Sequence, residues 1–309
     1  MENLDNKSYL VSIIVNCYNG ERYLSEALDS ILNQTYKNWE LIFWDNQSKD
    51  KSAEIFKSYK DSRFKYYYAN EHTSLYKARN LAIEKSNGDF IAFLDADDLW
   101  NENKIQLQMP YFNDPEVGLV FSNFWILKKN FKNKKIDTKN KLPNGNIYNE
   151  LITRDTNVGI VTTVIRKFFY NKLEKKFDDR FSLFGDFDLF LRLSKICLFK
   201  SIQEPLASYR LHGKNLSTIN KEKEVEESEI WLKENKLYLD ELQIKKFQKN
   251  IDYRKFSNYK IDGKYRECIK ILLKSKENFL NLKNLMLLFL PIFLLKKLLW
   301  YHQKYNDFK

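Results

Sequence analysis

Three aspartates fall within four positions in the stretch "FLDADDLW" (residues 93–100), directly after the apolar run "DFIAFL". Like charges crowded at the end of a buried run repel, and such a cluster persists where a cation relieves the repulsion. Mg²⁺ and Mn²⁺ are hard ions that prefer oxygen ligands, and they often hold substrate phosphates with only one or two carboxylates. Alone, an Asp-x-Asp fits solvated turn acids better, or a helix N-cap at Asp98 ahead of "LWNENKIQLQ". The elements that carry the aspartates therefore have to decide.

Those elements alternate. "YLVSIIVN" (9–16) is β-branched and apolar, a buried strand; "GERYLSEALDSILNQ" (20–34) spaces its apolar residues along one helical face. The strand "ELIFWD" (40–45), a helix at about 52–59, the strand "FKYYYA" (64–69) and a helix at about 75–85 lead to "DFIAFLDAD". This alternation predicts an α/β fold, a mostly parallel sheet with helices on its faces. In such sheets ligands bind outside the carboxyl ends of the strands. "NCYN", "WDNQSKD" and "FLDADD" all lie at such ends, so the aspartates face a site.

Further along, "VGLVFSNFWIL" (117–127) and "VGIVTTVIRK" (158–167) read as strands. The polar segment 128–146 between them, with seven lysines and a late Pro and Gly, reads as a solvated loop rather than an acceptor-binding flap. "DFDLFLRLSKI" (186–196) is an amphipathic helix beginning in acid, in which Asp188 should pair with Arg192 four residues on. "PLASYRLHG" reads as a short strand and turn.

Past about Ile219 the chain turns to Lys/Glu-rich helices, two of them meeting at Asp262-Gly263. The net charge of +11 is all in the tail: residues 245–309 carry 16 Lys and Arg against 5 acids, and the rest balances at 36 against 36. Eleven apolar residues run from Leu285 to Leu295, too short for a membrane span, which needs roughly 20. With Lys296, Lys297 and Trp300-Tyr301 beside it, this reads as an interfacial amphipathic helix at about 279–301, on anionic lipids. The alternative is a core helix of the tail bundle. The three cysteines (Cys17, Cys197, Cys268) allow no disulfide framework or zinc spacing and read as packing residues, and "MENLDNKSYL" has no secretory-signal pattern. Both features fit a reducing compartment.

Taken in order, "SIIVNCYNGERYLSEALDSILNQTY", "WDNQSKD", "ARNLAI…NGDFIAFLDADD", "GDFDLFLRL" and "YRLHGKNLS" closely resemble the family 2 glycosyltransferases of GT-A fold, over about residues 10–218. The resemblance implies a Rossmann-like GT-A domain at 1–218 and a helical, membrane-associating region at 219–309 like that of many bacterial members. It assigns Asp97 as the ligand of Mn²⁺ or Mg²⁺ and His212 as a residue completing the metal shell. Asp95 would contact the ribose or the metal shell, Tyr18 would pack on the base, and Arg79 would line the nucleotide pocket. Asn16 replaces a common proline where mainly the backbone matters. Asn46 stands where aspartate often reads uracil, and an amide can still accept from a ring N–H and donate to a ring carbonyl. Asp186 matches the catalytic base, with Gly185 in place of a frequent preceding glutamate.

The chemistry agrees with these assignments. Transfer from a nucleotide diphosphate needs a cation for the leaving phosphate and a carboxylate for the acceptor's proton. One base without a carboxylate nucleophile predicts inversion. The expected partners are a UDP-sugar, with glucose or another hexose, and a lipid-linked (undecaprenyl diphosphate) glycan acceptor at the cytoplasmic face of the inner membrane. Nucleic acid is not expected: the basic tail and its aromatics offer it charge and stacking, but no binding motif, and the apolar run has no use there. An inactive scaffold of the same fold would not need Asp95, Asp97, Asp186 and His212 together.

Overall fold

The computed structural model describes residues 9–128 and 133–274. The β-branched run Val11–Cys17 forms β1, followed by β2 (Trp39–Asp45), β3 (Phe64–Tyr68) and β4 (Phe90–Phe93). β2 and β4 are buried along their whole lengths, as continuous apolar strands of a covered parallel sheet are. The crossovers between them are α1 (Leu24–Leu32), α2 (Ser52–Ser58) and α3 (Leu75–Glu84). α1 buries Leu24, Ala27, Leu28 and Ile31, the three-and-four spacing of a single face. The Ser74 side chain accepts from the Lys77 amide and so caps α3. β1 pairs in parallel with β2 and β4, and β2 with β3, which sets the carboxyl ends of β1, β2 and β4 side by side.

β5 (Leu99–Trp100), β6 (Val117–Lys128), β7 (Asn133–Ile136), β8 (Val164–Arg166) and β9 (Leu198–Leu211) complete the sheet, in the order β3-β2-β1-β4-β8-β6-β9-β5 with β7 on β6. The mostly parallel expectation holds for β1–β4 alone. β8 enters antiparallel between β4 and β6, β7 and β5 also pair antiparallel, and only β6 and β9 run parallel. The fold is a mixed α/β fold.

Three local readings change with it. In 158–167 the Thr162 and Thr163 hydroxyls donate to the carbonyls of Gly159 and Ile160, turning 160–162 into a 3₁₀ turn and leaving only β8 extended. The Lys-rich segment is no free excursion. It contains β7 and is strapped to the sheet by Asn123 Nδ2 donating to Thr138 O (2.7 Å) and by Ser201 Oγ donating to Leu142 O (3.1 Å). "PLASYRLHG" is the end of a 14-residue strand along β6. Its register shifts around Asn123, opposite Pro205, which has no N–H to give the ladder.

The shorter helices are α4 (Lys104–Gln108), α5 (Tyr148–Ile152) and α6 (Lys167–Lys172), followed by α7 (Gly185–Ser194) and α8 (Leu216–Ile219). By internal contacts the chain divides into two compact units, Met1–Thr218 and Ile219–Lys309. The second holds α9 (Lys221–Asn235), α10 (Glu241–Ile261) and α11 (Tyr265–Lys274). A capping box of Asp240 and Gln243 opens α10, and Gly263, at φ +73°, provides the turn after it. Trp231 packs on Phe247 between α9 and α10, and Phe256 on Cys268 and Leu272 between α10 and α11. Among the described residues no helix is long and apolar enough to cross a membrane. The helix expected at about 279–301 lies outside the described residues.

Candidate active site

β4 ends at Phe93, and the chain turns at once, Asp98 N–H donating to Asp95 O at 3.0 Å. Asp95 meets Arg79 of α3: Nη2 donates to Oδ1 at 2.7 Å. Arg79 is only 3% exposed and sits among the rings of Tyr76, Phe93 and Phe177. Burial opposes its charge, but the carboxylates of Asp95 and Asp186 outweigh burial and keep it firmly protonated.

The end of β9 clamps the other two aspartates. β5 pairs with β9, which brings Arg210 and His212 over the turn. Arg210 N–H donates to Asp98 Oδ1 and its Nε to Asp97 O, both at 2.8 Å. Asp98 is therefore no helix cap. It is buried, and burial together with the charges of Asp97 and Asp95 pushes its carboxyl well above the usual range. Asp97 is raised in the same way, by burial first and Asp95 second, against the pull of His212. His212 Nε2 lies 2.9 Å from Asp97 Oδ2. The Lys214 amide donates to His212 Nδ1 at 3.1 Å, so Nδ1 is the acceptor and Nε2 carries the proton given to Asp97. The Tyr23 ring stacks on His212, with the Arg210 guanidinium 4.2 Å from its centroid.

At the ends of β1 and β2 the loops are stitched together. Gly20 N–H donates to Ser52 Oγ, Lys49 N–H to Asn19 Oδ1, and Glu21 N–H to Asp50 Oδ2. Tyr18 is half exposed, its ring 4.3 Å from that of His72, and His72 Nδ1 is 2.9 Å from Asn46 O. Asn46 is buried and already engaged: Nδ2 donates to Thr73 O, and Oδ1 accepts from the Thr73 amide and hydroxyl. One of the two Asn46 amide N–H groups is left over from these contacts. Asn16 Nδ2, at the end of β1, is buried with no hydrogen-bond partner among the described residues. A buried donor left open at the carboxyl end of a sheet fits a ligand oxygen.

Asp186 stands in the first turn of α7. Its Oδ1 accepts from the Phe187 amide at 2.8 Å and from the Tyr76 hydroxyl at 3.3 Å. Burial raises its carboxyl above the usual range, while Arg79 and Arg154 pull the other way. A Cβ at Gly185 would lie 2.7 Å from the Tyr76 ring, so the glutamate frequent in the resembling family has no room here. Asp188 binds Arg192 as expected, at 2.6 Å, and Arg192 also donates to the Lys176 carbonyl.

Among the described residues no three His, Cys, Asp or Glu side chains converge as a ready-made metal cage. A nucleotide-bound Mg²⁺ or Mn²⁺ needs no such cage, since phosphate and water oxygens supply most of its ligands. The donor chemistry fits: Asp97 is partly exposed beside Asp95, and their repulsion is what a cation relieves. His212 can join through Nε2 only when its proton moves to Nδ1, which the Lys214 amide opposes.

Residues 12–177, just over half of the chain, match the model of the family "Glycosyl transferase family 2". The chain belongs to the family 2 glycosyltransferases. It is 32% identical over 219 residues (70% of this chain, 83% of the other) to an Escherichia coli protein, "UDP-Glc:alpha-D-GlcNAc-diphosphoundecaprenol beta-1,3-glucosyltransferase WfgD". The "Putative teichuronic acid biosynthesis glycosyltransferase TuaG" of Bacillus subtilis is 28% identical over 50% of this chain and 62% of its own. In structure the chain is similar to S. aureus TarS 1–349 in complex with UDP-GlcNAc, with a TM-score of 0.60 at 16% identity, covering 80% of this chain and 72% of the other. That likeness speaks for the GT-A fold alone. Membership makes this glycosyltransferase an enzyme that draws on a nucleotide-sugar donor.

In this glycosyltransferase the sequence-named residues fall into three groups. Asp95, Asp97, His212 and Arg79 meet around the turn after β4. Asn16, Tyr18 and Asn46 sit at the neighbouring strand ends of β1 and β2. Asp186 comes from α7 and is tied to α3 through Tyr76. Tyr76, His72 and Arg210 went unread, because each is defined by what it touches more than 20 residues away.

Proposed function

We propose that this enzyme transfers glucose, or another hexose, from a UDP-sugar to a hydroxyl of a lipid-linked glycan, with inversion. The observation that carries the reading is the turn after β4, where Arg79 holds Asp95 and His212 holds Asp97 at the carboxyl ends of the parallel strands. The printed activities of WfgD and of a second E. coli relative, WfaP (39% identical over 38% of this chain and 47% of its own), support glucose as the sugar and a diphosphoundecaprenol-linked acceptor.

Tyr18, beside His72, gives the base a ring to stack on, and the spare Asn46 N–H reaches a ring carbonyl. Asn16 donates to a donor oxygen, and Asp95, fixed by Arg79, accepts from the ribose. Asp97 would hold Mn²⁺ or Mg²⁺, with Asp95 and His212 at its shell. When bound, that ion offsets charge growing on the departing diphosphate. Asp186 takes the acceptor hydroxyl's proton as the acceptor oxygen bonds to the anomeric carbon and the bond to the diphosphate breaks. Gly185 leaves no second acid beside it to act as a nucleophile, so one displacement inverts the centre. The basic, apolar tail seats the enzyme on the cytoplasmic face of the inner membrane, beside its acceptor.

A panel of nucleotide-sugars with Mn²⁺ and lipid-linked acceptor fractions tests this. Transfer from UDP-glucose with inverted product is the expected result. Transfer from a GDP-sugar alone, or with retention, contradicts it.

A further inference from the structure

Where the chain leaves β9, from Leu211 to Thr218, Asn215 alone is buried, at 6% exposed. Asparagine is mostly a surface residue, and a buried one keeps its place through hydrogen bonds. Asn215 makes them at both ends of its side chain. Oδ1 accepts from the His212 amide at 2.5 Å, and Nδ2 donates to Arg210 O at 2.9 Å. Nδ2 also lies 3.5 Å from Asp97 Oδ2, a long contact beside the 2.9 Å one from His212 Nε2. The backbone closes the same loop: Asn215 N–H donates to His212 O at 3.3 Å, and Thr218 N–H to Asn215 O at 2.9 Å.

This clip decides how close His212 comes to Asp97. Gly213 and Lys214 between the two residues are exposed, and a Cβ at Gly213 would meet nothing within 4 Å. Packing at those positions does little to hold the loop in place. The Tyr23 ring stacks on the imidazole and sets its plane, while the Asn215 side chain sets its reach. The contacts from His212 and Asn215 both fall on Asp97 Oδ2, so together they fix the rotation of the carboxylate. A carboxylate that holds an ion is itself held by hydrogen bonds, and losing such a partner weakens metal affinity by about 10- to 100-fold.

We propose that Asn215 is a positioning residue of the donor site. It clips the loop after β9 so that His212 stays a hydrogen-bond donor to Asp97, and the carboxylate is thereby turned to take a divalent cation carried by the nucleotide diphosphate. The proposal rests on Asp97 being the cation's ligand, as set out above. Asn215 acts only through His212 and Asp97.

UDP affinity of the full chain, measured by calorimetry with Mn²⁺ and again in excess chelator, tests this. In wild type Mn²⁺ should tighten UDP binding at least about tenfold. Asn215→Ala should lose most of that gain, roughly fivefold to tenfold, and should bind UDP in chelator within about twofold of wild type. A collapsed domain would lose affinity in both conditions, so the chelator arm separates positioning from misfolding. The milder Asn215→Ser should lose part of the gain. Because Asn215 acts through His212, His212→Ala should lose the same gain and the double variant little more. Ser217→Ala removes only the exposed contact of Ser217 with the Tyr209 hydroxyl (3.1 Å), further along the loop, and should keep the gain in full. A full Mn²⁺ gain in both Asn215 variants would overturn the proposal. So would losses equal with and without Mn²⁺ in both, additive losses in the double variant, or a Ser217→Ala variant as weak as Asn215→Ala. If wild type itself shows no Mn²⁺ gain, Asp97 is not the cation's ligand, and this proposal falls with that reading.

Discussion

The Tyr76 ring occupies the space that a side chain on Gly185 would need: a Cβ there would come within 2.7 Å of it. The two residues fit only as a pair, and through them α3 fixes the first turn of α7, where Asp186 sits. Gly185→Ala should therefore displace the ring or the turn. Overpacking of this kind costs about 1–3 kcal/mol. Thermal unfolding should show the loss, and turnover should fall while UDP affinity holds. Tyr76→Phe, which keeps the ring and loses one hydrogen bond to Asp186, should cost only about 1 kcal/mol. An alanine variant with wild-type melting and turnover would mean the contact is not tight.

Asp186→Asn keeps the shape and cannot take a proton. Turnover should drop by about 10²- to 10⁴-fold, the range for a general base, with donor affinity nearly unchanged. The sign of the pH dependence follows from burial, which raises the Asp186 carboxyl above its ordinary 3.8. A base works when ionised, so activity should fall as pH drops through that raised value, at a higher pH than an exposed aspartate would give. Steady-state kcat against pH checks this. An acid limb that survives unchanged in the variant would place the base elsewhere.

Glu40 ties three segments together, accepting from Ser12 Oγ (2.6 Å), Lys65 Nζ (2.5 Å) and the Asn87 amide (2.6 Å). Burial alone would raise its pKa. The hydrogen bonds from Lys65, Ser12 and Asn87 outweigh burial and bring it from 4.5 to about 2. A depressed folded pKa stabilises above the unfolded value, and that stability is lost as pH falls from about 4.5 towards 2. The linkage is on the order of 3 kcal/mol. Glu40→Gln should lower stability at neutral pH by about 1–3 kcal/mol and flatten this acid dependence, read by urea unfolding at several pH values. Equal pH slopes in both proteins would contradict it.

The tail prediction comes from the sequence. Each Lys or Arg near an anionic leaflet is worth ~1 kcal/mol, and salt screens it. Deleting residues 279–309 should release the enzyme from anionic liposomes, and transfer to lipid-linked acceptor should drop far more than donor hydrolysis. High salt should release full-length protein only in part, because the apolar face still holds. Flotation checks both, and a full-length protein that ignores liposomes contradicts the membrane reading.

How far the sequence could be read depended on the range of the forces involved. β1–β4 and α1–α3 were legible because apolar spacing and strand length set them locally. β7, the turn at 160–162 and the full reach of β9 were not, since a strap from Asn123, two threonine hydroxyls and a single proline decide them. At the site, the aspartate cluster drew notice by itself and the family resemblance named Asp95, Asp97, Asp186 and His212, but their partners came only with the fold. The proton on His212 Nε2, the engaged amide of Asn46 and the Tyr76 ring against Gly185 all depend on contacts that no periodicity records.

The most direct test of a metal-held nucleotide-sugar site is sugar transfer from UDP-glucose by the wild type and Asp97→Ala, with Mn²⁺ and again in excess chelator. The account predicts transfer only by the wild type with the ion present, and weaker UDP binding by the variant. Full wild-type transfer in excess chelator would contradict it.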